Sequence, residues 1–146
     1  MSSALFQDLR HPTGQSRSAR TVEVFGWILL AEAPLILFAP HWVAGVLQLP
    51  ELSDQAANYF RLVGLLVGGL GMLYVVSGRL NARGFVFASL LDRPLVPFIM
   101  AALWWFGIVP GPLALFFAVS DGASFLWTLS AWRAEQNAAA QTVSAA

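Results

Sequence analysis

Five ionisable side chains fall in or at the rims of long apolar stretches: Glu32, Arg61, Arg79, Arg93 and Asp121. A charge at the centre of a bilayer costs about 2.5–3.5 kcal/mol on insertion scales, so such residues face protein and find partners. They can do one of three things. They can form static pairs that hold helix register and insertion, line a ligand cavity or proton path, or take part in catalysis. Two pairs are expected, Glu32 with Arg61 and Asp121 with Arg93. Ser124 and Thr128 share the helix face of Asp121, so the candidate interior or ligand-facing set is Glu32, Arg61, Arg93, Asp121, Ser124 and Thr128. The hydroxyls of Ser120, Ser124 and Thr128 have no histidine partner to activate them, and no catalytic residue is assigned. His11 and His41 are the two histidines and fall in separate segments outside the apolar spans. The chain has no cysteine. Neither a metal site nor a cofactor is expected.

Two prolines bear on the same positions. Pro34 lies two residues beyond Glu32, and Pro97 lies four beyond Arg93. Each is expected to free the carbonyl four residues before it, those of Leu30 and Arg93. Freed carbonyls are tolerated at membrane depth where they face protein or a wet cavity.

The elements that must carry these residues are helices. The chain is 58% hydrophobic and 11% charged, where ordinary soluble domains carry about 25% charged residues. Its net charge is +0, which leaves no basic footprint for nucleic acid. Four apolar segments approach the roughly 20 residues that cross a bilayer as a helix. They span residues 21–39, 59–78, 93–109 (with an alternative start near 84) and 111–132. The expected fold is all-α, an integral membrane four-helix bundle. The first segment does not read as a cleaved signal peptide, because it follows about 20 polar residues and contains Glu32.

Arginine placement sets the orientation. Arg10, Arg17 and Arg20 precede the first span, Arg79 and Arg83 follow the second, and Arg133 follows the fourth. Both termini (1–20 and 133–146) and the 79–92 connection are therefore expected in the cytoplasm, and 40–58 on the outer side. The 40–58 segment begins with "PHWVAGV" and reads either as a short interfacial helix or lid, or as an apolar loop packed on the helix ends. Ser53 or Asp54 is the expected N-cap of the second span. Both chain ends are expected to be mobile, with "AWRAEQNAAA" as an alternative extension of the last helix. Asn81 and Tyr74 read as interfacial. Gly64, Gly68, Gly71 and Gly78 form a stripe on the second span, which lets another helix approach closely. That helix belongs either to the same chain or to another subunit.

The order "FAPHWVAGVLQLP", "YFRLVGLLVGGLGMLYVVSGR", an arginine at the third span and "FFAVSDGASFLWT" resembles small bacterial four-helix membrane proteins of the DoxX-like families. The resemblance runs from about Leu35 to Arg133 and rests on Arg61, Gly64, Gly71, Tyr74, Arg79, Arg93, Asp121 and Thr128. Two features depart from it, the proline after Arg93 and the acid at Glu32. The resemblance implies an accessory role, since some such proteins accompany redox enzymes as membrane subunits, and it supplies no catalytic residue. The expected function is a non-catalytic component of the bacterial inner membrane, either an accessory subunit or a binder of an apolar ligand. Its expected partners are the lipid bilayer and another membrane protein or a second copy. A small proton-coupled carrier is the alternative, and an enzyme acting on a lipid or quinone is a further one.

Overall fold

The computed structural model describes residues 7 and 9–144. Its helices are α1 (Arg17–Phe38), α2 (Pro40–Val46), α3 (Asp54–Arg79), α4 (Arg83–Asp92), α5 (Leu95–Trp105) and α6 (Gly111–Ser144), and no strand occurs among the described residues. Four helical stretches are long and apolar enough to cross a membrane: α1, α3, α4 with α5, and α6.

Local chemistry sets the boundaries. Ser16 caps α1 by accepting from the Ala19 amide at 3.2 Å, and Ser53 caps α3 by accepting from the Ala56 amide at 3.3 Å. Each satisfies one of the amides a helix start leaves unpaired. Asp54 is therefore the first residue of α3, where its charge suits the helix dipole, and Arg79 suits the opposite end. Pro40 stops α1 and starts α2, since proline is accepted in a first helical turn and not within a helix.

The region expected as a connection over 79–92 is mostly helix. The chain turns at Leu80–Ala82, with Asn81 at φ 53°, a left-handed conformation that asparagine tolerates. Nothing in "RGFVFASLLD" breaks a helix, so α4 starts at Arg83. Pro94 then interrupts the span between α4 and α5. Because of that break Pro97 falls in the first turn of α5, where no intrahelical donor is required of it. The Arg93 carbonyl, expected to be free, accepts from the Val96 amide at 3.2 Å.

The C-terminal segment takes the alternative form, an extension of the last helix. Helix α6 runs 34 residues, through Ser144. Glu135 ties it to the start of α1 by accepting from the Ser18 amide at 2.7 Å and the Ser18 hydroxyl at 2.8 Å. At the other terminus, Gln15 donates to Glu23 at 2.8 Å and the Ser16 amide donates to Asn81 at 3.2 Å. The expectation for residues 1–6, 8 and 145–146 lies outside the described residues.

Helix α1 packs most extensively on α3, α5 on α6, and α1 on α6. The α1–α3 contact is antiparallel and built on small residues seven apart. Ala19, Gly26 and Ala33 of α1 meet Gly78, Gly71 and Gly64 of α3. A Cβ added at Gly26 would stand 2.7 Å from the Val75 amide nitrogen. One at Gly71 would stand 2.9 Å from the Gly26 carbonyl oxygen, and one at Gly78 would stand 2.8 Å from the Ala19 carbonyl oxygen. A repeat of seven keeps two helices in register along a shared seam. The partner of the glycine stripe is thus a helix of the same chain. Gly68 is peripheral to this seam, where an added Cβ would meet only the Ala33 methyl at 3.3 Å.

At the Arg79 end of the seam lies the core, Ala19, Val22, Phe25, Tyr74 and Val86. Tyr74, expected at an interface, is only 6% exposed, between the rings of Phe25 and Phe85. Elsewhere the outward faces carry large apolar side chains, among them Leu62, Leu66, Met72, Phe98 and Trp105. Such a continuous apolar exterior suits lipid rather than water.

Candidate functional site

The α2 end of the molecule holds an apolar cavity of about 180 Å³. Glu32 and Ile36 of α1, Trp42 and Val46 of α2, Phe60 of α3 and Phe116 of α6 contribute to its wall. Helix α2 forms one side of it, so the start of the 40–58 segment is a short helix rather than an apolar loop. Leu29, Glu32, Leu35 and Ile36 of α1 line the cavity, and Pro34 lies inside the same continuous helix. Glu32 is the one ionisable residue on the lining.

Glu32 does not pair with Arg61. The Arg61 guanidinium donates to Asn58, one turn earlier on its own helix, at 2.7 Å. An arginine near a helix end reaches a polar partner there at less cost than by turning inward. The charged group whose field reaches Glu32 is Asp121, another acid. Asp121 in turn lies within the field of Arg93 and of Asp92. Among the described residues no ion pair joins Asp121 to Arg93, and the one formed is Arg79–Glu23.

Arg93 is instead held at the joint between α4 and α5, 1% exposed. Its guanidinium carbon lies 4.2 Å from the centroid of the Phe25 ring and 5.0 Å from that of Tyr74. Aromatic faces within about 6 Å attract a cation, more strongly when both are desolvated. Nη1 donates to the Thr128 hydroxyl at 3.3 Å, while Nε and Nη2 have no hydrogen-bond partner. Thr128 also meets the Thr21 hydroxyl at 2.8 Å and donates to the Ser124 carbonyl at 2.9 Å. Ser124 is buried, and its hydroxyl donates to the Asp121 carbonyl at 3.0 Å. A buried polar ladder therefore joins α1, α4–α5 and α6, with Thr128 at its centre.

A second polar cluster ties α1 to α3 at the arginine-rich end. Arg79 Nε donates to Glu23 Oε1 at 2.8 Å, and Gln15 Nε2 donates to Glu23 Oε2 at 2.8 Å. The Trp27 indole donates to Glu23 Oε1 at 3.3 Å, and Arg79 also reaches the Leu9 carbonyl at 2.6 Å. The part played by Glu23 was not legible from residue type, since Arg79 reads as an interfacial end-of-helix cation. The usable signal is an acid one turn past Ala19, on the same face as the Ala19–Gly26–Ala33 seam. Thr21 and Ser18 were missed for a related reason. Isolated hydroxyls in an apolar span carry no pattern until a partner helix is placed beside them.

The set thus divides. Glu32 belongs to the cavity. Arg93, Ser124 and Thr128 form the polar ladder, with Asp121 on its edge. Arg61 stands apart, and the glycines serve packing. No group of three or more histidine, cysteine or acidic side chains able to hold a metal occurs among the described residues. No family model, curated protein or solved structure matches the chain.

Proposed function

We propose that the protein is a multi-pass component of the bacterial inner membrane, a four-helix membrane bundle without a catalytic role, that holds a small apolar ligand in the cavity beneath α2. The observation that carries this reading is that cavity, which has apolar walls and a single polar handle. Ligand sites have this composition, with mostly hydrophobic linings and few oriented polar groups. A cavity of about 150 Å³ with aliphatic and phenylalanine walls suffices to hold benzene. The dimension here, about 180 Å³, suits one ring or a short branched chain. The accessory-subunit form of the reading rests on the resemblance to DoxX-like proteins, and binding a ligand is compatible with it.

Native mass spectrometry after extraction in mild detergent tests this. A small apolar molecule is expected at one copy per chain, and Val67→Phe, which adds bulk on the cavity wall, is expected to lose it. A stoichiometric partner protein with an empty cavity supports the accessory form alone. A bare chain that takes up no added benzene-sized molecule overturns the reading.

Orientation follows from charge. Arg17, Arg20, Arg79, Arg83 and Arg133 lie toward the end opposite α2, and the positive-inside rule puts that end in the cytoplasm. A C-terminal fusion is expected to be active with a cytoplasmic reporter and silent with a periplasmic one, and the reverse result would invert the topology.

A further inference from the structure

The charge inventory around the cavity is unbalanced. Glu32 is half-buried on its lining and makes no ion pair or side-chain hydrogen bond among the described residues. The cation expected beside it, Arg61, is bonded to Asn58. The other interior cation, Arg93, is enclosed by Phe25, Tyr74 and Thr128. The charged neighbour that Glu32 does feel is Asp121, of the same sign. His41 of α2 is turned outward and exposed. A carboxyl in these surroundings lacks a counter-charge from its own chain, and an uncompensated charge at membrane depth is costly.

The rest of the wall has the opposite of what an anion needs. Phe60, Phe116, Phe117 and Trp42 contribute to it alongside aliphatic side chains, and aromatic faces carry negative potential that favours cations. Carboxylate and aromatic rings therefore select for the same ligand charge. Apolar walls select for a cation that carries hydrocarbon rather than a hydrated metal ion, because stripping water from a bare ion needs several oxygen donors, and this cavity offers one carboxyl.

We propose that the cavity beneath α2 is a site for a small amphiphilic cation, an amine or quaternary ammonium with an apolar ring or chain, whose positive centre sits against Glu32. This rests on the reading that the cavity holds an apolar ligand, and it adds the charge of that ligand. Glu32 supplies the counter-ion, and the four aromatic residues cover the cationic group and the hydrocarbon. A neutral ligand of the same shape gains only the apolar contact.

The test uses two probes of nearly identical shape, benzyltrimethylammonium and its uncharged carbon isostere neopentylbenzene. The full chain is reconstituted in nanodiscs of zwitterionic lipid, and bound probe is measured by equilibrium dialysis against empty nanodiscs. Benzyltrimethylammonium is expected to bind at least tenfold more tightly than neopentylbenzene after that subtraction. Glu32→Gln is expected to abolish the difference by weakening the cation about tenfold, with neopentylbenzene still retained above empty nanodiscs. If neopentylbenzene binds as tightly as the cation to the unaltered chain, the cation proposal fails and the apolar-ligand reading stands. If neither probe is retained above empty nanodiscs, both fail. A preference for the cation that survives Glu32→Gln also overturns the proposal, since the carboxylate would then not be its source.

Discussion

Gly71→Leu is expected to lower the melting temperature of the detergent-solubilised protein by about 10 °C. An added Cβ alone would stand 2.9 Å from both the Gly26 carbonyl oxygen and the Leu30 amide nitrogen, which are backbone atoms and cannot swing aside. The remaining leucine carbons then force α1 and α3 apart along their whole seam. Overpacking of a filled interior costs about 1–3 kcal/mol and more where backbone must move, and for a chain of this size each kcal/mol shifts the midpoint by roughly 2–4 °C. Gly68→Ala is expected to be mild, since it meets only the Ala33 methyl at 3.3 Å. Leu66→Phe is the control, on a side chain 73% exposed. Equal melting temperatures for Gly71→Leu and Leu66→Phe would show that the α1–α3 seam is not where the packing energy resides.

The second large effect concerns Arg93. Arg93→Ala is expected to destabilise by about 2–5 kcal/mol, the range for emptying a large buried side chain. Arg93→Met is expected to recover most of that loss. Methionine fills a similar volume, keeps contact with Phe25 and Tyr74, and removes the unbonded Nε and Nη2. Replacing a buried charge by an apolar residue of similar size is often neutral or favourable. Thermal melts of the two variants separate volume from charge. If Arg93→Met is as unstable as Arg93→Ala, then the attraction of the guanidinium to the two rings and to Asp121 is what holds α4–α5 in place.

Residue identity carried some of this a long way. Apolar runs of about twenty residues announce helices because a helix satisfies its whole backbone within one segment in hydrocarbon, and four such helical stretches are present among the described residues. A cap at Ser53 or Asp54 was announced, and the structure uses Ser53; the glycines of α3 announced a close approach. Where a charge would find its partner was less legible. Glu32 and Arg61 look like neighbours by depth along adjacent helices, yet depth says nothing about rotation around the helix axis. Arg61 points to its own helix, and Glu32 points to a cavity.

What the sequence determined by itself is the class of structure and the end of the molecule that gathers arginines. These depend on local composition summed over each segment. Only the tertiary structure decided that Ala19–Gly26–Ala33 faces Gly78–Gly71–Gly64, that Glu23 takes Arg79, that Arg93 lies between Phe25 and Tyr74, and that α2 closes a cavity over Glu32. Each of these depends on which face of one helix meets which face of another. That choice is made by small residues that allow backbones to touch, and by Pro94, which re-aims the chain just after Arg93. Side-chain type narrows such choices, but the match is a property of two surfaces at once and exists in neither segment alone.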